Sequence, residues 1–295
     1  MKKMLFIFNP HTAGGRLKTR LMEMLVKFSE AGYEMCVWPT ASAGHARQIT
    51  RDHAAGCDLV VCCGGDGTLN EVVDGMKGLR PKPLLGYIPG GTTNDFATSL
   101  QIPKSDMLSA VDRIIKPKRI YQCDFGTFND RAFTYVAGFG AFTDVSYKTP
   151  QNIKNLLGYF AYLLEGVQRL PGLKPTHIRC ECDEGVFEDD YLLGLVSNSA
   201  SVAGFHVDSG HTVQMDDGLF EMVLVRQPHN LSDLATLYSA VASGDFSSPL
   251  LTVVRGREFK LSTDQAIPWT LDGEFGGEVQ EVLVKVHNKE LLICT

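Results

Sequence analysis

The sequence contains no apolar segment long enough to cross a bilayer. Its longest strongly apolar stretch, 156–164, includes tyrosines and a glycine and is followed at once by Glu165, whereas a spanning helix needs about 20 apolar residues. No secretory leader is recognisable either, because Lys2 and Lys3 are followed only by a short strand-like run. We therefore expect a cytoplasmic protein.

C-x-x-C pairs are also absent, although the chain has eight cysteines. The cysteines lie mainly in strand-like segments, so most are expected to be reduced, buried thiols. Cys180 and Cys182 alternate along one such segment and would point to opposite faces, which disfavours a shared metal site. The net charge of −6 provides no excess of positive charge for nonspecific nucleic-acid binding, so no nucleic-acid partner is expected.

Short apolar runs alternate with helical patterns in the first part of the chain. The predicted strands are 4–8, 34–38, 58–63 and 84–88, and the predicted helices are 17–29, 43–53, 69–77 and 105–115. This alternation predicts an α/β domain with a parallel sheet, for residues 1–122. Each strand ends in a loop rich in Gly, Asn, Thr or Pro, and in such sheets ligands bind at the carboxyl ends of the strands.

The second part of the chain has the texture of antiparallel hairpins. Its predicted strands are 119–128, 132–137, 177–182, 191–197, 219–225, 258–262 and 279–286, with one helix at 151–169. We therefore predict a second, mainly antiparallel β domain over 123–287, with 288–295 as a candidate return to the first domain.

The most informative loop is Gly64-Gly65-Asp66-Gly67-Thr68, at the junction of a buried strand and a helix. Glycines leave backbone N–H groups free to approach phosphate oxygens, and a helix start adds its positive dipole end. A tight Asp-Gly turn is the simpler interpretation, but a turn needs only one or two of these residues. The run therefore predicts a phosphate-binding loop.

A second loop, 89–95, follows the next strand and again supplies glycines, now with threonines and Asp95. A helix N-cap alone would account for Asn94 or Asp95, but not for Gly90 and Gly91 together with two threonines. Neither loop has the lysine of the G-x-x-x-x-G-K-[ST] motif, so the P-loop mechanism is excluded.

Together these motifs resemble the diacylglycerol kinase catalytic family, which includes bacterial lipid kinases and the sphingosine and ceramide kinases. The matching groups are Asn9-Pro10 with Gly14-Gly15, Thr40 with Gly44-His45-Ala46, the run from Gly64 to Glu71, the run from Gly90 to Ala97, Gly138-Phe139-Gly140, Asp217-Gly218-Leu219 and Asp272-Gly273-Glu274. The resemblance spans nearly the whole chain. NAD kinases and phosphofructokinases carry a loop similar to the first one.

The resemblance implies a two-domain, NAD kinase/phosphofructokinase-like fold that uses ATP and Mg²⁺ to phosphorylate the hydroxyl of a lipid, with diacylglycerol as the leading candidate. The residues implied to contact nucleotide are Asn9, Thr40, Gly64, Gly65, Asp66, Gly67, Thr68, Gly91 and Thr93. Asp66 and Asp95 would organise Mg²⁺ through water, and Asp272, with Glu274 beside it, would be the general base. His45 would shape its loop. Asp217 and the Leu219 carbonyl resemble a structural Mg²⁺ site, although Gln214 stands where a further acidic ligand is expected.

Elementary chemistry supports the same roles, because phosphoryl transfer needs charge neutralisation, in-line positioning and a base for the attacking hydroxyl. Asp272 lies in an acidic turn that follows an apolar strand, and an Asp-Gly hairpin turn is its simpler interpretation. The alternatives that stay open are a kinase of another lipid or of NAD, and an inactive nucleotide- or lipid-binding protein.

The remaining expectation concerns how the protein reaches a lipid substrate in a membrane. The segment 146–174 carries four basic residues against Glu165 alone, together with a wide apolar arc at helical spacing. A helix buried against the second domain is the simpler interpretation, and peripheral contact with an anionic membrane is our hypothesis. The oligomeric state is open, with a homodimer as one alternative.

Overall fold

The computed structural model describes residues 1–92, 94–140, 175–198, 201–202, 205–206, 214–243 and 247–295. The chain divides into two compact units. The first comprises Met1–Phe125, Arg131–Thr134 and Asn288–Thr295, and the second comprises Gly126–Asp130 and Tyr135–His287. The predicted helix at 151–169 and the predicted membrane-binding segment at 146–174 lie outside the described residues.

The first unit contains four consecutive parallel strands in the order β2-β1-β3-β4, and the end of the last strand of the chain pairs parallel with β4 through Ile293 and Leu85. They are β1 (Lys2–Phe8), β2 (Tyr33–Pro39), β3 (Leu59–Gly64) and β4 (Leu84–Pro89). Each neighbouring pair runs parallel, with Phe8 opposite both Pro39 and Cys63, and Gly64 opposite Pro89. All four strands therefore end at one edge of the sheet.

Helices connect these strands and bury the faces of the sheet. They are α1 (Arg16–Glu30), α2 (His45–His53), α3 (Asp66–Met76), the short α4 (Asp95–Ser99) and α5 (Met107–Ile115). The apolar sides of α1 and α5 pack on one face of the sheet, against residues such as Phe6, Val61 and Ile88. The alternate strand residues, among them Val60 and Tyr87, point to the opposite face and are fully buried.

The rest of the described chain is mainly antiparallel. Its strands are β5 (Ile120–Phe128), β6 (Arg131–Phe133), β7 (Val136–Gly140), β8 (Thr176–Cys182), β9 (Gly185–Ser197), β10 (Ser201–Val202), β11 (Phe205–His206), β12 (Phe220–Arg226), β13 (Leu251–Gly256), β14 (Glu258–Leu271) and β15 (Glu274–Cys294). In the second unit, neighbours pair antiparallel in the order β13-β12-β9-β7-β14-β15, and β8 bridges β9 and β14. One described helix, α6 (Leu231–Ser243), interrupts them.

Several elements differ from the sequence prediction. The pattern did not predict α6 or β13, and the single strand predicted at 132–137 is split into β6 and β7. The strand predicted at 258–262 continues to Leu271. Its register against β15 shifts between Ser262 and Ile267, and in that stretch the Thr263 hydroxyl donates to the Gln265 carbonyl at 2.6 Å. Polar residues at that point interrupt the alternation without ending the strand.

The cysteine expectation is confirmed: all eight are free thiols and five of them are buried. Burial raises the pKa of Cys63 to about 12 and that of Cys294 to about 11, so both remain protonated at neutral pH. Among the helices of the described ranges, none is both long and apolar enough to cross a membrane.

Candidate active site

Four loops leave the parallel sheet of the first unit at the same edge. Backbone hydrogen bonds extend the ladder one step beyond the strands: Asn9 donates to β3 at 3.0 Å, Thr40 to β1 at 2.8 Å and Gly90 to Gly64 at 2.8 Å. The strand order places the Asn9 loop between the Thr40 loop and the Gly64 loop. The sequence motifs after four separate strands are thus gathered along one edge.

The two glycine-rich loops at this edge touch each other through their backbones. A Cβ atom on Gly65 would lie 3.3 Å from the Gly91 Cα, and one on Gly91 would lie 2.7 Å from the Gly65 Cα and 2.8 Å from the Asn94 Oδ1. Real Cβ atoms essentially never approach so closely as the latter two distances. Glycine at 91 is therefore required for this contact, and glycine at both positions keeps the backbone open to a ligand.

Asp66 and Asp95 each begin a helix that starts at this edge, α3 and α4 respectively. The Asp66 Oδ2 accepts a hydrogen bond from the Asp95 backbone amide at 3.1 Å, so the starts of the two helices, 29 residues apart in the chain, are joined. Gly67 and Thr68 form the rest of the first turn of α3. Carboxylate oxygens beside helix N-termini and glycine amides match the donors that Mg²⁺ and phosphate groups prefer.

Glu71 has a role that the sequence did not reveal. Its carboxylate accepts the Gly44 amide at 2.6 Å and the Ala46 amide at 3.0 Å, which fastens the loop after Thr40 to α3 and caps the start of α2. His45 Nδ1 accepts the Ala41 amide at 3.0 Å within the same loop. Glu71 belongs to the matched motif, but nothing local to it indicates a partner 25 residues upstream.

Asn94 is the second residue that the sequence analysis left without a role. It is buried, adopts a left-handed backbone conformation with φ 48°, and closes the loop on itself. Its Oδ1 accepts the Gly91 amide at 2.8 Å and its Nδ2 donates to the Gly91 carbonyl at 2.8 Å. Thr93, a predicted nucleotide contact, lies outside the described residues.

Asp272 lies in the second unit, in the two-residue turn between β14 and β15. Both turn residues have positive φ, 49° for Asp272 and 83° for Gly273, so the hairpin interpretation of this dipeptide applies. The Asp272 Oδ1 also accepts the Tyr135 amide at 2.8 Å and the Val136 amide at 3.0 Å. The carboxylate is held in a defined orientation, and Glu274 beside it is exposed.

Asp217 and Leu219, predicted as a structural Mg²⁺ site, are engaged with other protein groups. Asp217 Oδ1 accepts the Leu219 amide at 2.9 Å, and Oδ2 forms an ion pair with Arg255 at 2.8 Å. Arg255 also pairs with the buried Glu221 at 2.9 Å. Asp217 is thus paired with a guanidinium in this structure, and its role as a Mg²⁺ ligand with the Leu219 carbonyl stays a prediction. No cluster of three or more His, Cys, Asp or Glu suited to a metal occurs in the described part of the chain.

Comparison with known proteins finds a matching family for each half of the chain. Residues 3–128 match the family described as the diacylglycerol kinase catalytic domain, and residues 136–294 match the YegS C-terminal NAD kinase beta sandwich-like domain. A relative named diacylglycerol kinase from Bacillus subtilis is 34% identical, over 97% of this chain and 94% of its own length. A diacylglycerol kinase from Staphylococcus haemolyticus is also 34% identical, over 98% of this chain and 87% of its own.

A solved structure supports the same fold. The crystal structure of a diacylglycerol kinase from Bacillus anthracis superposes with a TM-score of 0.73, covering 99% of this chain and 96% of its own at 21% identity. The arrangement of a catalytic domain followed by a β-rich domain defines a two-domain kinase. The chain belongs to the diacylglycerol kinase family of lipid kinases.

Proposed function

We propose that this kinase transfers the γ-phosphoryl group of ATP, with Mg²⁺, to the free hydroxyl of diacylglycerol and so forms phosphatidic acid. The observation that carries the proposal is the joined pair of glycine loops at the carboxyl edge of the sheet, where Asp66 accepts the Asp95 amide. Diacylglycerol is the acceptor that the names of relatives 34% identical over nearly the whole chain indicate.

The chain's own groups suit the nucleotide end of this reaction. The amides of Gly65 and Gly67 would bind phosphate oxygens, and the N-termini of α3 and α4 add favourable dipoles. Asp66 and Asp95 would hold Mg²⁺ through water. When bound, that ion supplies the charge neutralisation that phosphoryl transfer requires.

Asp272 is the proposed general base. A carboxylate that accepts two backbone amides on one oxygen keeps its orientation, which is the requirement for taking a proton from a hydroxyl at the moment of attack. The proton of the lipid hydroxyl would pass to Asp272 as the new O–P bond forms, and ADP leaves with the bonding electrons of the broken bond. Glu274 adds a second negative charge beside the base.

Access to the acceptor requires contact with a bilayer, since diacylglycerol resides there. We therefore propose peripheral membrane association. The predicted basic and apolar segment at 146–174, outside the described residues, stays the candidate for that contact.

A transfer assay with labelled ATP tests the proposal. The acceptors are diacylglycerol, sphingosine, ceramide, phosphatidylglycerol and an undecaprenol-type alcohol, with NAD as the small-molecule alternative. Label in phosphatidic acid that disappears in Asp272→Asn is expected. Transfer only to NAD, or to no acceptor while nucleotide still binds, would replace the proposal with one of the alternatives.

A further inference from the structure

Tyr87 is a buried residue near the candidate site with no role assigned so far. It lies in β4, opposite Cys62 of β3, and its side chain is fully buried. Its hydroxyl donates to the Asn94 Oδ1 at 3.2 Å. Burial, followed by the negative charge and hydrogen bonding of Asp66, raises the pKa of Tyr87, so the phenol is neutral and keeps its proton.

The two groups around this hydroxyl belong to different loops. Asn94 secures the second glycine loop, because its side chain is bonded to both the amide and the carbonyl of Gly91. Asp66 begins α3 in the first loop and accepts the Asp95 amide at 3.1 Å. The phenol of Tyr87 therefore contacts the Asn94 side chain that holds the second loop, and it lies near enough to Asp66 of the first loop to experience its negative charge.

We propose that Tyr87 is a positioning residue, whose hydroxyl orients the Asn94 side chain, and with it the second glycine loop, for binding of the Mg²⁺–nucleotide pair. The proposal rests on the function proposed above. The phenol has one proton, and its donation to the Asn94 Oδ1 limits the directions in which that side chain can point. Hydrogen-bonded partners of this kind control ligand affinity without touching the ligand. Tyr87 thus acts through Asn94 and contacts no reacting atom.

Tyr87→Phe removes one oxygen atom and leaves the packing of the ring unchanged. Calorimetric titration with Mg²⁺ and a non-hydrolysable ATP analogue should show binding about 10-fold to 100-fold weaker, the usual loss for a partner of a ligating group. The KM for the lipid should not change. The control is Tyr33→Phe, which removes the same atom from the half-buried tyrosine at the start of β2, at the opposite edge of the sheet; its binding should equal that of the wild type.

A double variant tests the route of the effect. If Tyr87 acts through Asn94, then Tyr87→Phe should weaken binding much less in an Asn94→Gly background than alone, and glycine tolerates the left-handed backbone at that position. Equal binding by Tyr87→Phe and the wild type, or a lower melting temperature with unchanged binding, would overturn the inference. Fully additive losses in the double variant would also overturn it. A wild-type chain that failed to bind the Mg²⁺–nucleotide pair would instead refute the proposed function, and this inference with it.

Discussion

Gly91→Ala tests whether the contact between the two glycine loops matters for nucleotide binding. An alanine Cβ would lie 2.7 Å from the Gly65 Cα, whereas ordinary contacts begin at about 3.4 Å. The obstacle is backbone, which cannot rotate away, so the loops would have to separate by roughly 0.7 Å. Overpacking of this kind costs about 1–3 kcal/mol.

The functional effect should exceed the loss of stability. A displacement approaching 1 Å at a site that positions reacting groups can reduce the rate about 100-fold. We expect Gly91→Ala to lower lipid phosphorylation by about that factor and to weaken nucleotide binding. Gly65→Ala meets the same contact at a milder 3.3 Å and should cause a smaller loss.

Gly32→Ala separates stability from function. Gly32 has φ 84° with nothing near its missing Cβ, and it lies in the turn before β2, away from the candidate site. Backbone strain should therefore lower its melting temperature without changing turnover. Thermal unfolding and labelled-ATP assays of all three variants give the comparison. Wild-type turnover in Gly91→Ala, or a loss in Gly32→Ala as large as in Gly91→Ala, would refute the reasoning.

Three further variants probe the carboxylates. Asp272→Asn should reduce turnover about 100-fold to 10,000-fold while nucleotide binding is retained, because only the base is lost; unchanged turnover would exclude that role. Asp66→Ala should raise the Mg²⁺ concentration for half-maximal activity, and an unaltered Mg²⁺ titration would reduce Asp66 to a turn residue. Burial raises the pKa of Glu221 from 4.5 to about 7, so its stabilising contribution is present below pH 4.5 and is lost as pH rises through 7. The free energy of unfolding of the wild type should therefore fall by at most about 3 kcal/mol between pH 5 and 8, and Glu221→Gln should abolish this fall. Thermal unfolding at each pH measures it, and a variant with the same pH profile as the wild type would contradict the assignment.

The carboxyl edge of the first unit could be predicted because its signals are local. Apolar runs such as 58–63 and the glycines that follow them identify a strand and its exit loop without knowledge of the rest of the chain. Parallel pairing then brings those exits together. The side-chain contacts at this edge could not be predicted in the same way, since Glu71 finds its amides 25 and 27 residues away.

Asp272 shows a second limit of prediction from local sequence patterns, since the turn can be predicted and the partners of the carboxylate cannot. The Asp-Gly dipeptide correctly indicates a two-residue hairpin, and its positive φ values explain the glycine. The amides of Tyr135 and Val136, which fix the carboxylate, come from a segment 136–137 residues earlier and depend on the register of β7 against β14. The spacing of residues in the sequence does not indicate that register.

Arg255 shows how such a register gives a motif residue a partner that the sequence does not indicate. The Asp217-Gly218-Leu219 motif alone indicates oxygen ligands for a cation. Pairing of β12 with β13 sets Glu221 opposite Arg255, and the guanidinium then reaches Asp217 as well. The basic residue lies 38 positions downstream, in a strand that the pattern did not predict.

Both oxygens of Asp217 are engaged, since Oδ1 accepts the Leu219 amide and Oδ2 pairs with Arg255. The Asp272 Oδ1 instead accepts the amides of Tyr135 and Val136. An amide orients a carboxylate and leaves its negative charge, whereas an ion pair offsets that charge. We therefore expect Asp217→Asn to lower the melting temperature more than it lowers turnover. A loss of turnover as large as that of Asp272→Asn, at an unchanged melting temperature, would contradict this expectation.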